Sequence, residues 1–183
     1  MIQANMQLDA KGLACPMPVV KTKKTISDLE EGQVLEVQAT DKGSKADLTA
    51  WARTVGHQYL GTVEEGDVLY HYIRKGSNEP EVEKAYEHTI SLEELESRNG
   101  FILDVREAAE YAFGHIEDAK SILMGELASR LEELNPNEEI YVICRTGNRS
   151  DLASQLLAEN GFTKVYNVLQ GMNEWNGKII KEI

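Results

Sequence analysis

Two cysteines stand where their neighbours could turn a thiol into a reagent. Cys144 opens the run Cys144-Arg145-Thr146-Gly147-Asn148-Arg149-Ser150, and Cys15 opens Cys15-Pro16-Met17-Pro18. The ionised thiol is the nucleophilic form, so the question for each is what would favour a negative sulfur. In the first run Gly147 lets the backbone turn inward, so that successive N–H groups can face one centre as an anion-binding concavity. A following helix would add its positive end, and Arg145 and Arg149 add two charges. In the second run Pro16 suits a first helical position, which puts Cys15 at or near the N-cap, facing unpaired amides in a setting that lowers a thiol pKa. A lone cysteine can also be a small buried hydrophobe. A cationic, Gly-containing loop ahead of a helix start argues against that for Cys144.

The elements needed to hold these cysteines can be read around them. Ile140–Ile143 is an apolar, β-branched run of the kind that forms a buried parallel strand, and Ser150–Leu157 carries apolar residues at helical spacing. Cys144 therefore falls at a strand end, where open α/β sheets place their ligand sites. Phe101–Val105, a stretch within Ile116–Leu123, and Val165–Val168 supply further strands between helical stretches, predicting a mostly parallel sheet covered on both faces. Ser91 and Glu94 form a capping box for a short helix ending near Asn99-Gly100. Asp104 and Arg106 read as an ion pair fixing the sheet edge, and His115 as structural.

Around Cys15 the pattern differs. Met6–Ala10 alternates as a strand; Val19, Val20, Ile26 and Leu29 form an approximate apolar helix face, opposite Lys21, Lys23 and Lys24. Those lysines either steer an acidic partner or simply face solvent. Val34–Thr40 is a second strand, Ser44 with Asp47 resembles a capping box for a helix burying Leu48, Trp51 and Val55, and His57–Val63 with Val68–Ile73 forms a hairpin around Gly66. The order βαβαββ predicts an α+β sandwich of two helices on one face of a four-stranded sheet. The chain thus reads as α/β overall, with a first domain over 1–75, a linker over 76–88 marked by Gly76-Ser77-Asn78-Glu79-Pro80, and a second domain over 89–183. Pro80 could open a short helix through Glu87. A flexible tether of that length would hold the two thiols at an effective concentration on the order of millimolar.

Two resemblances follow from these residues. Leu103–Ile116, with the sequence LDVREAAEYAFGHI, and Cys144–Ser150 resemble the rhodanese family, from about Thr89 onward. That resemblance implies a cysteine carrying sulfane sulfur as a persulfide at Cys144, cradled by Arg145, Thr146, Gly147, Asn148, Arg149 and Ser150. After Gly-His-Ile the family often continues with Pro, any residue, then Ala; here Glu117-Asp118-Ala119 stands instead, which touches a turn. Leu8–Lys24 and Ala39–Trp51 resemble the TusA family of small sulfur carriers, which implies that Cys15 accepts a persulfide sulfur and passes it on. Pro16 and Pro18 then shape the helix start, and Asp41, Asp47 and Trp51 read as architectural.

Composition bounds the rest. The 183 residues suffice for one ordinary domain or two small ones. No run of about eighteen apolar residues exists and Met1–Ala10 lacks a basic then apolar segment, so the expectation is a cytoplasmic protein with free thiols, neither signal peptide nor membrane span. Residues 1–77 hold nine Lys plus Arg against ten Asp plus Glu, and residues 78–183 ten against twenty-one. So acidic a second half argues against nucleic acid and anionic membrane. His57, His71 and His88 lack metal-ligand spacing, so neither metal nor resident cofactor is expected.

The leading expectation is a sulfurtransferase: Cys144 takes sulfur from thiosulfate or a low-molecular-weight persulfide and passes it to a thiol acceptor, Cys15 or another sulfur-carrier protein. A redox-sensing or docking module is the non-enzymatic alternative. A cysteine phosphatase or arsenate reductase is the other enzymatic one, disfavoured because Cys144 and Arg149 are separated by four residues where those enzymes typically use five.

Overall fold

The computed structural model describes residues 1–76 and 84–183, which form two compact units. Residues 77–83 of the expected linker, Pro80 among them, lie outside the described residues, and residues 84–87, where the short helix was expected to end, are not helical. No helix among the described residues is long and apolar enough to cross a membrane.

The first unit runs β1 (Met6–Ala10), α1 (Met17–Ile26), β2 (Val34–Ala39), α2 (Ser44–Val55), β3 (Gln58–Glu65) and β4 (Val68–Arg74). Its sheet order is β1-β2-β4-β3, with β1 parallel to β2 and the other pairs antiparallel. The period-two alternation of strands explains the layering. Leu35, Val37 and Ile73 face the helices and close a core with Ala10, Ile26, Leu29, Leu48 and Ala52. This is the expected βαβαββ sandwich.

Three local expectations shift. The helix α1 begins at Met17 with Pro16 as its N-cap, so Cys15 precedes the cap and the proline in the first turn is Pro18. Val20 is 51% exposed because the buried stripe of α1 runs through Pro18, Thr22 and Ile26, four residues apart, leaving Val20 on the far side. Ser44 is not a cap: Gly43 holds that place, the Ser44 hydroxyl donates to Asp41 O at 2.6 Å and meets His71 Nε2 at 2.9 Å, and Val55 at the end of α2 is exposed.

The second unit runs β5 (Thr89–Ile90), α3 (Leu92–Ser97), β6 (Phe101–Asp104), α4 (Ala108–Phe113), β7 (Lys120–Ser121), β8 (Ile140–Ile143), α5 (Asn148–Glu159) and β9 (Val165–Val168). The sheet order is β5-β9-β8-β6-β7 and every pair is parallel. Ile140 and Val142 enter a cluster with Leu103, Leu127, Leu157 and Val165; Tyr141 and Ile143 enter another with Ile90, Leu95, Ile116 and Val168. Burial on both faces is why β8 reads as a continuous apolar run. Ser91 and Glu94 close the expected capping box on α3. Between β7 and β8 the chain makes two short 3₁₀ segments, Met124–Ser129 and Leu131–Glu133, in place of a helix.

Asp104 and Arg106 form the expected buried pair at the end of β6, Nη2 lying 2.7 Å from Oδ2, while Arg106 also donates to Gly114 O at 2.8 Å. The ring of His115 stacks on Tyr111 at 3.7 Å and contacts Tyr111 O through Nδ1, a packing role. In the turn where the sequence departs from the rhodanese pattern, Asp118 takes a left-handed φ of 65°, a conformation that Asp adopts more readily than most residues.

Candidate functional site

Cys144 follows the last residue of β8, and the chain reverses into α5 through Gly147, whose φ is 93°. A side chain there would be strained, and its Cβ would lie 2.4 Å from Leu169 O. The tight turn folds the loop back over the sulfur: Gly147 N–H donates to Cys144 Sγ at 3.1 Å, and Ser150 Oγ stands 3.3 Å from Sγ on the other side. The residue is 1% exposed and belongs to the core cluster, while its sulfur meets an amide and a hydroxyl.

The hydroxyl has one proton. Ser150 donates it to Asn167 Oδ1 at 2.6 Å, so in this state the hydroxyl is an acceptor toward sulfur and suits an S–H donor. Asn167 Nδ2 in turn donates to Gly147 O at 3.3 Å, tying β9 to the loop. Asn167 is fully buried and was not singled out from the sequence. The signal was there: one carboxamide inside the apolar run of β9 needs a buried partner.

A second segment fixes the loop from behind. Met172 N–H donates to Cys144 O at 2.7 Å and Asn173 N–H to Arg145 O at 2.9 Å. This approach depends on Gly171, whose φ is 64° and whose Cβ would lie 2.5 Å from Cys144 O. Lys84 Nζ reaches Leu169 O at 3.0 Å and Thr146 O at 3.4 Å, adding a cation beside the loop that sequence reading missed. Ala85 and Tyr86 donate their backbone N–H groups to Asp151, so residues read as linker are bonded to α5.

The two arginines do not act alike. Arg149 forms a fork onto Glu110 at 2.8 and 3.1 Å, with the carboxylate almost wholly buried. Burial disfavours the charged guanidinium, yet the bonds to Glu110 outweigh it and raise the Arg149 pKa above its ordinary value. Its guanidinium is held in a structural pair, and its charge also interacts with Cys144. Arg145 is half-buried, and its backbone carbonyl accepts from Asn173 N–H. Asn148 opens α5.

In the first unit Cys15 is exposed, and its Sγ donates to Asp47 Oδ2 at 2.7 Å. The expectation of a lowered pKa is overturned: the thiol is raised, first by the bond to Asp47, then by desolvation, then by the charges of Asp47 and Asp41. The reason is a fold contact. The turn of α2 that carries Asp47 packs beside the start of α1, so a carboxylate 32 residues away outweighs the local helix end.

Two family models match this chain: "Sulfurtransferase TusA" over residues 6–75 and "Rhodanese-like domain" over residues 89–178. The protein named "Putative sulfur carrier protein YrkF" of Bacillus subtilis is 51% identical over 185 residues, covering 97% of this chain and 99% of its own. "Sulfur carrier protein TusA" of Allochromatium vinosum is 41% identical over 75 residues, covering 41% of this chain and 99% of its own. Among solved structures, a rhodanese-like domain protein of Staphylococcus aureus is 32% identical, covering 52% of this chain and 98% of its own with a TM-score of 0.49. The two matched families and these relatives place the chain in a class of proteins with a sulfur relay or sulfurtransferase role. The chain belongs to the family of sulfur carriers in which a TusA domain is followed by a rhodanese-like domain.

Proposed function

We propose that this chain is a two-thiol sulfur relay, loaded at Cys144 and unloaded through Cys15. Cys144 thiolate attacks the outer sulfur of thiosulfate; the bond between the two sulfurs of the donor breaks, sulfite leaves with its electron pair, and Cys144 holds a persulfide anion. A low-molecular-weight persulfide serves equally, leaving a thiolate. Cys15 then attacks the outer sulfur, Cys144 leaves as thiolate and takes up the proton lost by Cys15, and the sulfur rides on Cys15 to a thiol acceptor or a further sulfur-carrier protein. No resident cofactor or metal enters, since the persulfide is the intermediate.

The observation that carries this reading is the convergence of Gly147 N–H and Ser150 Oγ on Cys144 Sγ. A negative sulfur there has the Gly147 amide as a fixed donor, and the Ser150 hydroxyl becomes a second one when it turns from Asn167 Oδ1 to the sulfur. Arg145 supports attraction of an anionic donor, with Thr146, Asn148 and Arg149 shaping the loop. Arg149 being spent on Glu110 weighs against a phosphatase, whose arginine must face the oxyanion. The test is peptide mass mapping after thiosulfate treatment: sulfur is expected on both cysteines of the natural chain, on Cys144 alone in Cys15→Ser, and on neither in Cys144→Ser. Loss of sulfur uptake in Cys15→Ser alone would contradict the order.

A further inference from the structure

A cysteine that must ionise to attack is expected beside cations, yet the exposed sulfur of Cys15 stands beside two anions. Asp47 Oδ2 accepts its thiol proton at 2.7 Å. Asp41 lies just ahead of α2, with Asp47 in that helix's first turn: a Cβ built on Gly43 would be 3.4 Å from Asp41 Oδ2 and 3.9 Å from Asp47 Oδ2, so the two carboxylates flank one point of backbone. Resting on the reading that Cys15 carries sulfur, we propose that Asp47 sets how weakly the carrier holds its sulfur, favouring the unloaded thiol over the loaded persulfide and so driving delivery to the next acceptor.

The argument compares two states. Unloaded, Cys15 donates S–H to a carboxylate, a charge-assisted bond that stabilises this form. The raised pKa of the thiol reports the same preference for keeping its proton. Loaded, the terminal sulfur of a persulfide is more acidic than a thiol and is anionic near neutral pH. The S–H donor is gone, and a negative charge stands next to Asp47, with Asp41 adding a smaller repulsion. Exchange with glutathione persulfide makes the balance explicit. Cys15 thiol and the glutathione persulfide anion give the Cys15 persulfide anion and glutathione thiol. The sulfur–sulfur bond of glutathione persulfide breaks, a bond forms between its outer sulfur and Cys15 Sγ, and the Cys15 proton ends on glutathione. No net oxidation occurs, and Asp47 stays ionised throughout. An anion on one side of this exchange alone shifts its equilibrium.

The experiment equilibrates the full chain, Cys144 intact, with glutathione persulfide near neutral pH and reads the loaded fraction of Cys15 by peptide mass mapping. Adding Asp47→Asn is expected to raise the equilibrium constant for loading on the order of tenfold, the size of one close like-charge contact at a surface. Asp41→Asn, which leaves the thiol contact in place, is expected to raise it less. High salt is expected to raise loading of the Asp47 chain toward that of Asp47→Asn, and to raise the latter less because only Asp41 then remains beside Cys15. Equal or lower loading in Asp47→Asn overturns the proposal. If that variant is unfolded by circular dichroism, the absence of any salt or Asp41→Asn effect overturns it instead. A chain that never takes sulfur at Cys15, whatever stands at position 47, refutes the carrier reading itself.

Discussion

Cys144 shows how little of a buried thiol's setting lies in its own motif. The loop residues from Arg145 to Ser150 supply Gly147 N–H and the Ser150 hydroxyl, but Asn167 and Glu110 decide what that hydroxyl and Arg149 can do. Removing one partner of the Arg149 pair leaves a buried carboxylate uncompensated, which typically costs about 3–5 kcal/mol. Arg149→Ala is therefore expected to lower the urea midpoint steeply and to lose sulfur transfer, whereas Arg149→Ala with Glu110→Ala is expected to recover part of the stability. A double variant no more stable than the single one would deny the coupling. The loop's position and its cysteine were legible because they are contiguous. The contacts that Glu110, Asn167 and Asp47 make were not, since their partners stand 39, 17 and 32 positions away and only the tertiary fold joins them.

At the scale of elements, the turn at Gly171 and the sheet network at His71 carry the clearest tests. A Cβ on Gly171 would meet Cys144 O and Arg145 O at 2.5 and 2.6 Å, where φ is also left-handed. Gly171→Ala is expected to destabilise the second unit by about 2 kcal/mol or more and to slow alkylation or loading of Cys144 through a displaced loop, measurable by urea denaturation and single-turnover labelling. His71 is fully buried between Ser44, Tyr59 and Thr62, and burial, helped by the charge of Lys45, pushes its pKa from 6.5 down to about 4. Between those values the unfolded chain binds a proton that the folded chain refuses. His71 thus costs no stability above about pH 6.5, and the loss grows as pH falls through the window to about 4, where it is complete at up to about 3 kcal/mol. The difference in urea midpoint between the natural chain and His71→Gln is expected to shrink over that window. A difference constant with pH would contradict the assignment.

The βαβαββ order and the parallel sheet were readable because period-two alternation in β1 and the unbroken apolar run of β8 reflect one-sided and two-sided burial. The register of the α1 start was not, because Pro16 and Pro18 offer two equally good first-turn prolines and packing of Thr22 and Ile26 chooses between them.

For the molecule as a whole, each unit closes a core of its own side chains, Leu35 with Leu48 and Ile73 in one, Val142 with Leu157 and Val165 in the other. A fragment of residues 1–76 is accordingly expected to fold alone, with cooperative urea unfolding and an intact Cys15. A noncooperative transition would show that its core needs the rest of the chain. The proposed relay would tie both units into one reaction, and its order is the central claim. Rapid quenching after one equivalent of thiosulfate, followed by mass mapping, tests it most directly. The account predicts sulfur on Cys144 first, then its decay there matched by its rise on Cys15. Sulfur appearing on Cys15 at an undiminished rate in Cys144→Ser would contradict it.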